Sequence, residues 1–155
     1  MTASRAMPRQ KLAALCFFTL AAATATELQS QKRLVGTLRD QRAVQGCSWA
    51  ASSADVGSGF VFLAERDDSL IVMNIDGMDV RLALDPRSAT GLLSRVGDRL
   101  TKVYTAGSVR VHATYTATWT CPNVEACEVT RFDVTFVVER GSETETVEGI
   151  GEVGC

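Results

Sequence analysis

The chain holds a single histidine and 18 carboxylate side chains, and these bound the acid–base chemistry open to it. His112 stands in the stretch Val109-Arg-Val-His-Ala-Thr-Tyr-Thr-Ala-Thr-Trp-Thr-Cys121. A catalytic histidine needs a nucleophile and an orienting partner, whereas this one is flanked by Arg110 and Thr114. A neighbouring guanidinium lowers a histidine's affinity for a proton and does not shape a general base. The nucleophile-elbow spacing G-x-S-x-G is absent; Gly57-Ser58-Gly59 falls short of it and reads as a flexible entry to the strand that begins near Phe60. His112 is therefore expected on the wet side of a strand.

Carboxylates need no histidine, because glycoside hydrolysis runs on two of them. Asp67-Asp68 lies within Glu65-Arg-Asp-Asp-Ser69, the composition of a solvated turn, and Glu143, Glu145, Glu148 and Glu152 decorate the last strand as a wet face. Asn74-Ile-Asp-Gly-Met-Asp79 superficially resembles a calcium loop, but the EF-hand register puts Val72 at the first ligand position and Ala83 where a bidentate glutamate is required. No catalytic residue, metal ligand or cofactor-binding residue is assigned on these patterns. Trp49 and Trp119, each two residues from a cysteine, are expected in the core.

Five cysteines carry the remaining chemistry, and what they do depends on the compartment. Residues 1–25 have the grammar of a secretory signal peptide: Arg5, Arg9 and Lys11, then the apolar run Leu12 to Ala23, then the small-residue site Ala23-Thr24-Ala25. The run is too short to cross a bilayer, and Leu15 is large where an acylated Cys16 needs a small predecessor. A periplasmic or secreted product follows, and cleavage removes Cys16 with the leader. Cys47, Cys121, Cys127 and Cys155 remain, an even set that reads as two disulfides with three pairings open. The preferred pairs are Cys121 with Cys127, clamping a hairpin loop, and Cys47 with Cys155, tying the first core strand to the last. The only close pair has five residues between its members, which fits neither zinc spacing nor a C-x-x-C redox pair at a helix start. The leader holds three of the 16 basic residues and none of the acidic ones, so the mature formal charge is −5. That balance argues against nucleic acid and anionic membrane as partners.

Residues 26–46 form an N-terminal arm in which Leu34, Val35 and Leu38 begin a helical face that Gly36 interrupts. Residues 47–155 form one β domain. The run Leu70 to Leu84 turns at Asp76-Gly77, a dipeptide suited to the positive φ angles of a type I′ turn. That turn pairs Ile75 with Met78, Met73 with Val80 and Ile71 with Leu82, and leaves Asn74, Asp79, Val72 and Arg81 on a partly exposed face. A second hairpin is expected at Ala106-Gly107. From Val109 the chain alternates apolar and polar over twelve residues, which is the period of an antiparallel strand with one wet face. Matching Cys121 to Cys127 demands a one-residue slip, predicted as a β-bulge near Val129 to Arg131. Short strands separated by turns, seven or eight in all, give an all-β fold: a disulfide-stapled antiparallel sandwich or small barrel.

At the level of architecture alone, a signal peptide, a compact β domain and a disulfide near the C-terminus are similar to small periplasmic lysozyme inhibitors and other envelope binding modules. The function expected is that of an exported non-enzymatic β domain that binds a protein or cell-envelope component, as an inhibitor or immunity factor. The alternatives are a small carboxylate-dependent hydrolase and a structural accessory subunit of an envelope complex.

Overall fold

A computed structural model describes residues 32–44, 46–121 and 128–155, which fold as strand and turn. The strands are β1 (Val35–Gly36), β2 (Ser48–Ser52), β3 (Phe60–Glu65), β4 (Leu70–Ile75), β5 (Met78–Leu84), β6 (Thr90–Gly91), β7 (Arg99–Ala106), β8 (Val109–Thr120), β9 (Thr130–Arg140) and β10 (Glu143–Gly154). Eight of them make a closed up-and-down barrel: β2, β3, β4, β5, β7, β8, β9 and β10 each pair antiparallel with the next, and β10 returns to β2. Of the sandwich and the barrel, the sequence forms the barrel, which gives each of these eight strands a partner on both sides. The two-residue strands are additions, β1 on β4 and β6 on β7.

The barrel has two ends. At one lie the tight turns at Asp76-Gly77, Gly107 and Gly141; at the other lie the β3–β4 turn, the segment 85–98 and the disulfide. The Asp76-Gly77 hairpin has the expected register, with Ile75 opposite Met78, Met73 opposite Val80 and Ile71 opposite Leu82. Its φ angles of 51° and 78° are those that aspartate and glycine tolerate. The opposite face of β4 departs from expectation, because Val72 and Asn74 are buried. The arm is the cause: β1 pairs with the end of β4, and Leu38 packs on Leu63 and Val72 outside the barrel wall. Leu34 and Val35 are buried as well, in the main core.

An eight-stranded barrel is just wide enough for side chains to fill, and aromatic rings fill this one. Trp49, Phe62, Tyr115, Phe132 and Phe136 stand 5.1 to 6.3 Å apart, ring to ring. The Phe132 ring fits because Gly151 faces it across β9 and β10; a Cβ there would lie 2.6 Å from the ring.

The β-bulge exists, but on the other strand from the one predicted. The register slips between Ala117 and Trp119 of β8, where Thr118 is the extra residue opposite Phe132 and Arg131 of β9. An extra residue reverses the side-chain parity beyond it. Trp119 therefore does not enter the core: it pairs with outward Arg131 and is 38% exposed, whereas Trp49 is 8% exposed.

Cys47 and Cys155 are joined, their Cα atoms 4.2 Å apart, directly beyond the last ladder pair between β2 and β10, Ser48 with Gly154. The bond thus fastens the seam where the first barrel strand meets the last. The expected Cys121–Cys127 pair involves Cys127, which lies outside the described residues, as does the expected leader at 1–25.

Candidate functional site

The residues that sequence patterns singled out are dispersed around the wall. His112 is half-buried on the outer face, between Val103 and Val137 on neighbouring strands. Asp79 accepts hydrogen bonds from the backbone N–H groups of Arg39 and Asp40 and from the Asn74 amide at 2.8 to 3.0 Å. Asp76 meets Lys32 and, at 2.7 Å, Arg140, and these two cations hold its carboxyl down to about 2. The hairpin tip that resembled a calcium loop thus spends its oxygens on the arm and on two cations. Among the described residues, no group of three or more His, Cys, Asp or Glu side chains is arranged to hold a metal.

Glu145 also leaves the wet face assigned to it. It projects at the hairpin-turn end of the barrel and accepts the Leu34 and Val35 N–H groups at 2.6 and 2.9 Å and the Arg33 guanidinium at 2.9 Å. Burial pushes its ionisation upward, but the Val35, Arg33 and Leu34 donors outweigh burial and keep its carboxyl below the usual range. Glu145 and Asp79 together fasten residues 34–40 to the barrel.

A second polar cluster lies inside the barrel near the disulfide end. Lys102 occupies the inward row of β7, between Leu100 and Tyr104, and is buried. Its ammonium contacts the Asp68 carboxylate and sits 4.9 Å from the centre of the Trp49 ring. Asp68 was expected in a solvated turn. It is 4% exposed, because a positive φ of 45° in the β3–β4 turn lets its side chain reach the Lys102 ammonium inside the barrel. Burial raises its carboxyl above the usual range, against the opposing pull of the Lys102 hydrogen bond and charge. The Tyr104 and Tyr115 hydroxyls are also buried and neighbour each other, each influencing the other's ionisation. Burial drives both phenols well above their ordinary range. Sequence parity carried a signal for Lys102, a charged residue among inward apolar ones. Its partner, 34 residues away, had none.

The outer wall carries an accessible groove. Two outward rows cross β2, β10, β9 and β8: Ser52, Ile150, Asp133 and Thr116, then Ala50, Glu152, Arg131 and Trp119. Between them and Phe60 runs a shallow groove of about 490 Å³. Ile150 is 67% exposed and Phe60 38%. Trp119 stands beside the groove with the Arg131 guanidinium 5.5 Å from its ring centre, and Glu152 lies 3.9 Å from Arg131. A neighbouring crevice of about 660 Å³ has Asp133 and Glu148 on its wall, beneath the 53–59 loop. Single exposed apolar side chains are ordinary on a protein surface; three large ones around one groove that also carries Arg131, Asp133 and Glu152 make an amphipathic contact surface.

No protein family, curated protein or solved structure matches the chain. Among the described residues, no helix is long and apolar enough to cross a membrane.

Proposed function

We propose that the protein is an exported, non-enzymatic binding module that holds a protein partner against its outer wall through the groove between Phe60, Ile150 and Trp119. The observation that carries this reading is the turn of Trp119 from inside to outside at the Thr118 bulge. It sets a tryptophan stacked with arginine beside exposed Ile150, and tryptophan and arginine are the side chains most enriched at binding hot spots. The aromatic packing of the interior supports the same assignment, because it leaves the barrel wall, not its lumen, to make contacts. Asp133 and Glu152 in the groove, with Glu148 in the neighbouring crevice, outnumber Arg131, which suits a partner with a basic face, such as a hydrolase to be inhibited. The Cys47–Cys155 bond suits an oxidising compartment, periplasmic or extracellular.

The test is capture from cell-envelope extract over a range of ionic strength, with the wild type compared with Trp119→Ala and with Ile150→Ser. A partner retained by the wild type and lost from both variants is the expected result. Retention by all three, or by none at any salt concentration, rejects the groove. The rival reading, a hydrolase using two carboxylates, draws on the crevice shared by Asp133 and Glu148. It requires glycan cleavage that disappears in Asp133→Asn with Glu148→Gln.

A further inference from the structure

Lys102 and Asp68 meet with side chains only 11% and 5% exposed. The fold supplies this encounter, since β7 turns Lys102 inward and the β3–β4 turn sends Asp68 to it. The Trp49 ring shields the amine. The nearby buried polar groups are the hydroxyls of Tyr104 and Tyr115, which neighbour each other and are both close enough to feel the charge of Asp68. A buried amine held against a buried carboxyl supplies both components of an amide with no external substrate.

We propose that Lys102 and Asp68 form an autocatalytic cross-link: an amide between Lys102 Nζ and Asp68 Cγ, made by the folded protein itself. In water the pair would rest as ammonium and carboxylate, one without a lone pair and the other without electrophilic character. Removal from water penalises both charged forms. The reaction begins with transfer of the proton from nitrogen to carboxylate oxygen, which leaves a neutral amine facing a neutral acid. The raised ionisation of Asp68 runs in that direction.

The nitrogen lone pair then attacks Cγ, the Nζ–Cγ bond forms, and the carbonyl π pair moves onto oxygen. The Tyr104 and Tyr115 hydroxyls, which already feel the charge of Asp68, are the buried O–H groups of this region. A proton from Nζ passes to the departing hydroxyl, the Cγ–O bond breaks, and one water leaves. Ammonium plus carboxylate become amide plus water, so neither oxidant nor reductant is needed.

Two physical arguments favour the reaction here. Partners held in contact by a fold react at effective concentrations on the order of 10⁵ M or more. In addition, two buried charges keep an unrecovered desolvation cost that a neutral amide does not carry.

Mass spectrometry of the full chain tests the proposal after its N-terminus has been fixed. The wild type should be lighter by one water than its disulfide-oxidised sequence, and Lys102→Arg or Asp68→Ala should show the full mass. After reduction and trypsin, the wild type should yield a branched peptide joining residues 67–81 to 100–110, uncut at Lys102. Recovery of linear 67–81 together with separate 100–102 and 103–110 in full yield would overturn the cross-link and leave a plain ion pair. Both wild-type readouts stand even if neither variant folds.

Discussion

The two ends of the barrel are closed with similar side chains in different surroundings. At the hairpin-turn end, Glu145, Asp79 and Asp76 bind backbone amides and cations near the surface, and their carboxyls sit below the usual range. At the disulfide end, Asp68 binds a single lysine deep in the wall, and its carboxyl sits above that range. The difference lies in the number of donors per unit of burial. Glu145 and Asp79 are each desolvated, but each receives at least three donors, whereas Asp68 is shielded more fully and has one ammonium. Donors make an acid-labile latch; shielding makes a fixed plug.

The largest test of this contrast is removal of the seam bond. Cys47→Ser with Cys155→Ser opens a loop whose ends are 108 residues apart, and the chain-entropy model sets the loss near 4 to 5 kcal/mol. Urea unfolding of the oxidised wild type against the double variant measures it. A loss below about 1 kcal/mol would mean that the ladder between β2 and β10 closes the barrel unaided.

Next in size is the plug. Lys102→Met leaves Asp68 buried without a counter-charge and should cost about 3 to 5 kcal/mol, and adding Asp68→Asn should make the variant more stable than Lys102→Met alone. If the single and double variants unfold at the same urea concentration, Asp68 finds water in the native state and the two ends do not differ.

The latch should yield to smaller changes. Glu145→Gln is expected to cost about 1 to 3 kcal/mol, visible as faster hydrogen exchange at the Leu34 and Val35 amides while the seam stays protected. Acid should act alike. The folded pKa values of Glu145 and Asp79 lie below their unfolded values, so their stabilisation is complete above the ordinary carboxylate range and declines as pH falls through the folded values. Asp76 keeps its charge down to about pH 2 and should let go of Lys32 and Arg140 last. Exchange measured between pH 5 and pH 2 should show the arm loosening before the disulfide end. Uniform loosening would erase the distinction.

Smallest of all is Trp119→Ala, on the outside of the disulfide end. Its stability cost should stay within about 0.5 kcal/mol, in contrast with about 3 to 5 for Trp49→Ala. Equal losses would return Trp119 to the core.

The elements that local rules govern were legible in the sequence. Asp76-Gly77 specifies its turn and, through it, the register of six residue pairs. The period of two from Val109 specifies the inner face of β8 as far as Ala117. Cys47 and Cys155 were readable as a pair because one precedes the first core strand and the other follows the last. The site was less legible, because it depends on exceptions and distant partners. Thr118 looks like one more alternating threonine, and nothing local marks it as the extra residue that exposes Trp119. Asp68 has the composition of a wet turn, and only the closed barrel brings it to Lys102. Glu145 lies in a charge run, and only the docked arm gives it donors.

The Cys47–Cys155 bond has a mechanical consequence. A hoop bound covalently at one joint gives way at its thinnest remaining one, and here that is the contact between β5 and β7, where only Ala83 with Thr105 and Leu84 with Tyr104 are in register. Breathing motions of the wall should concentrate at that gap. It borders Tyr104 and lies two residues from Lys102, so opening at that gap should bring solvent toward the buried lysine.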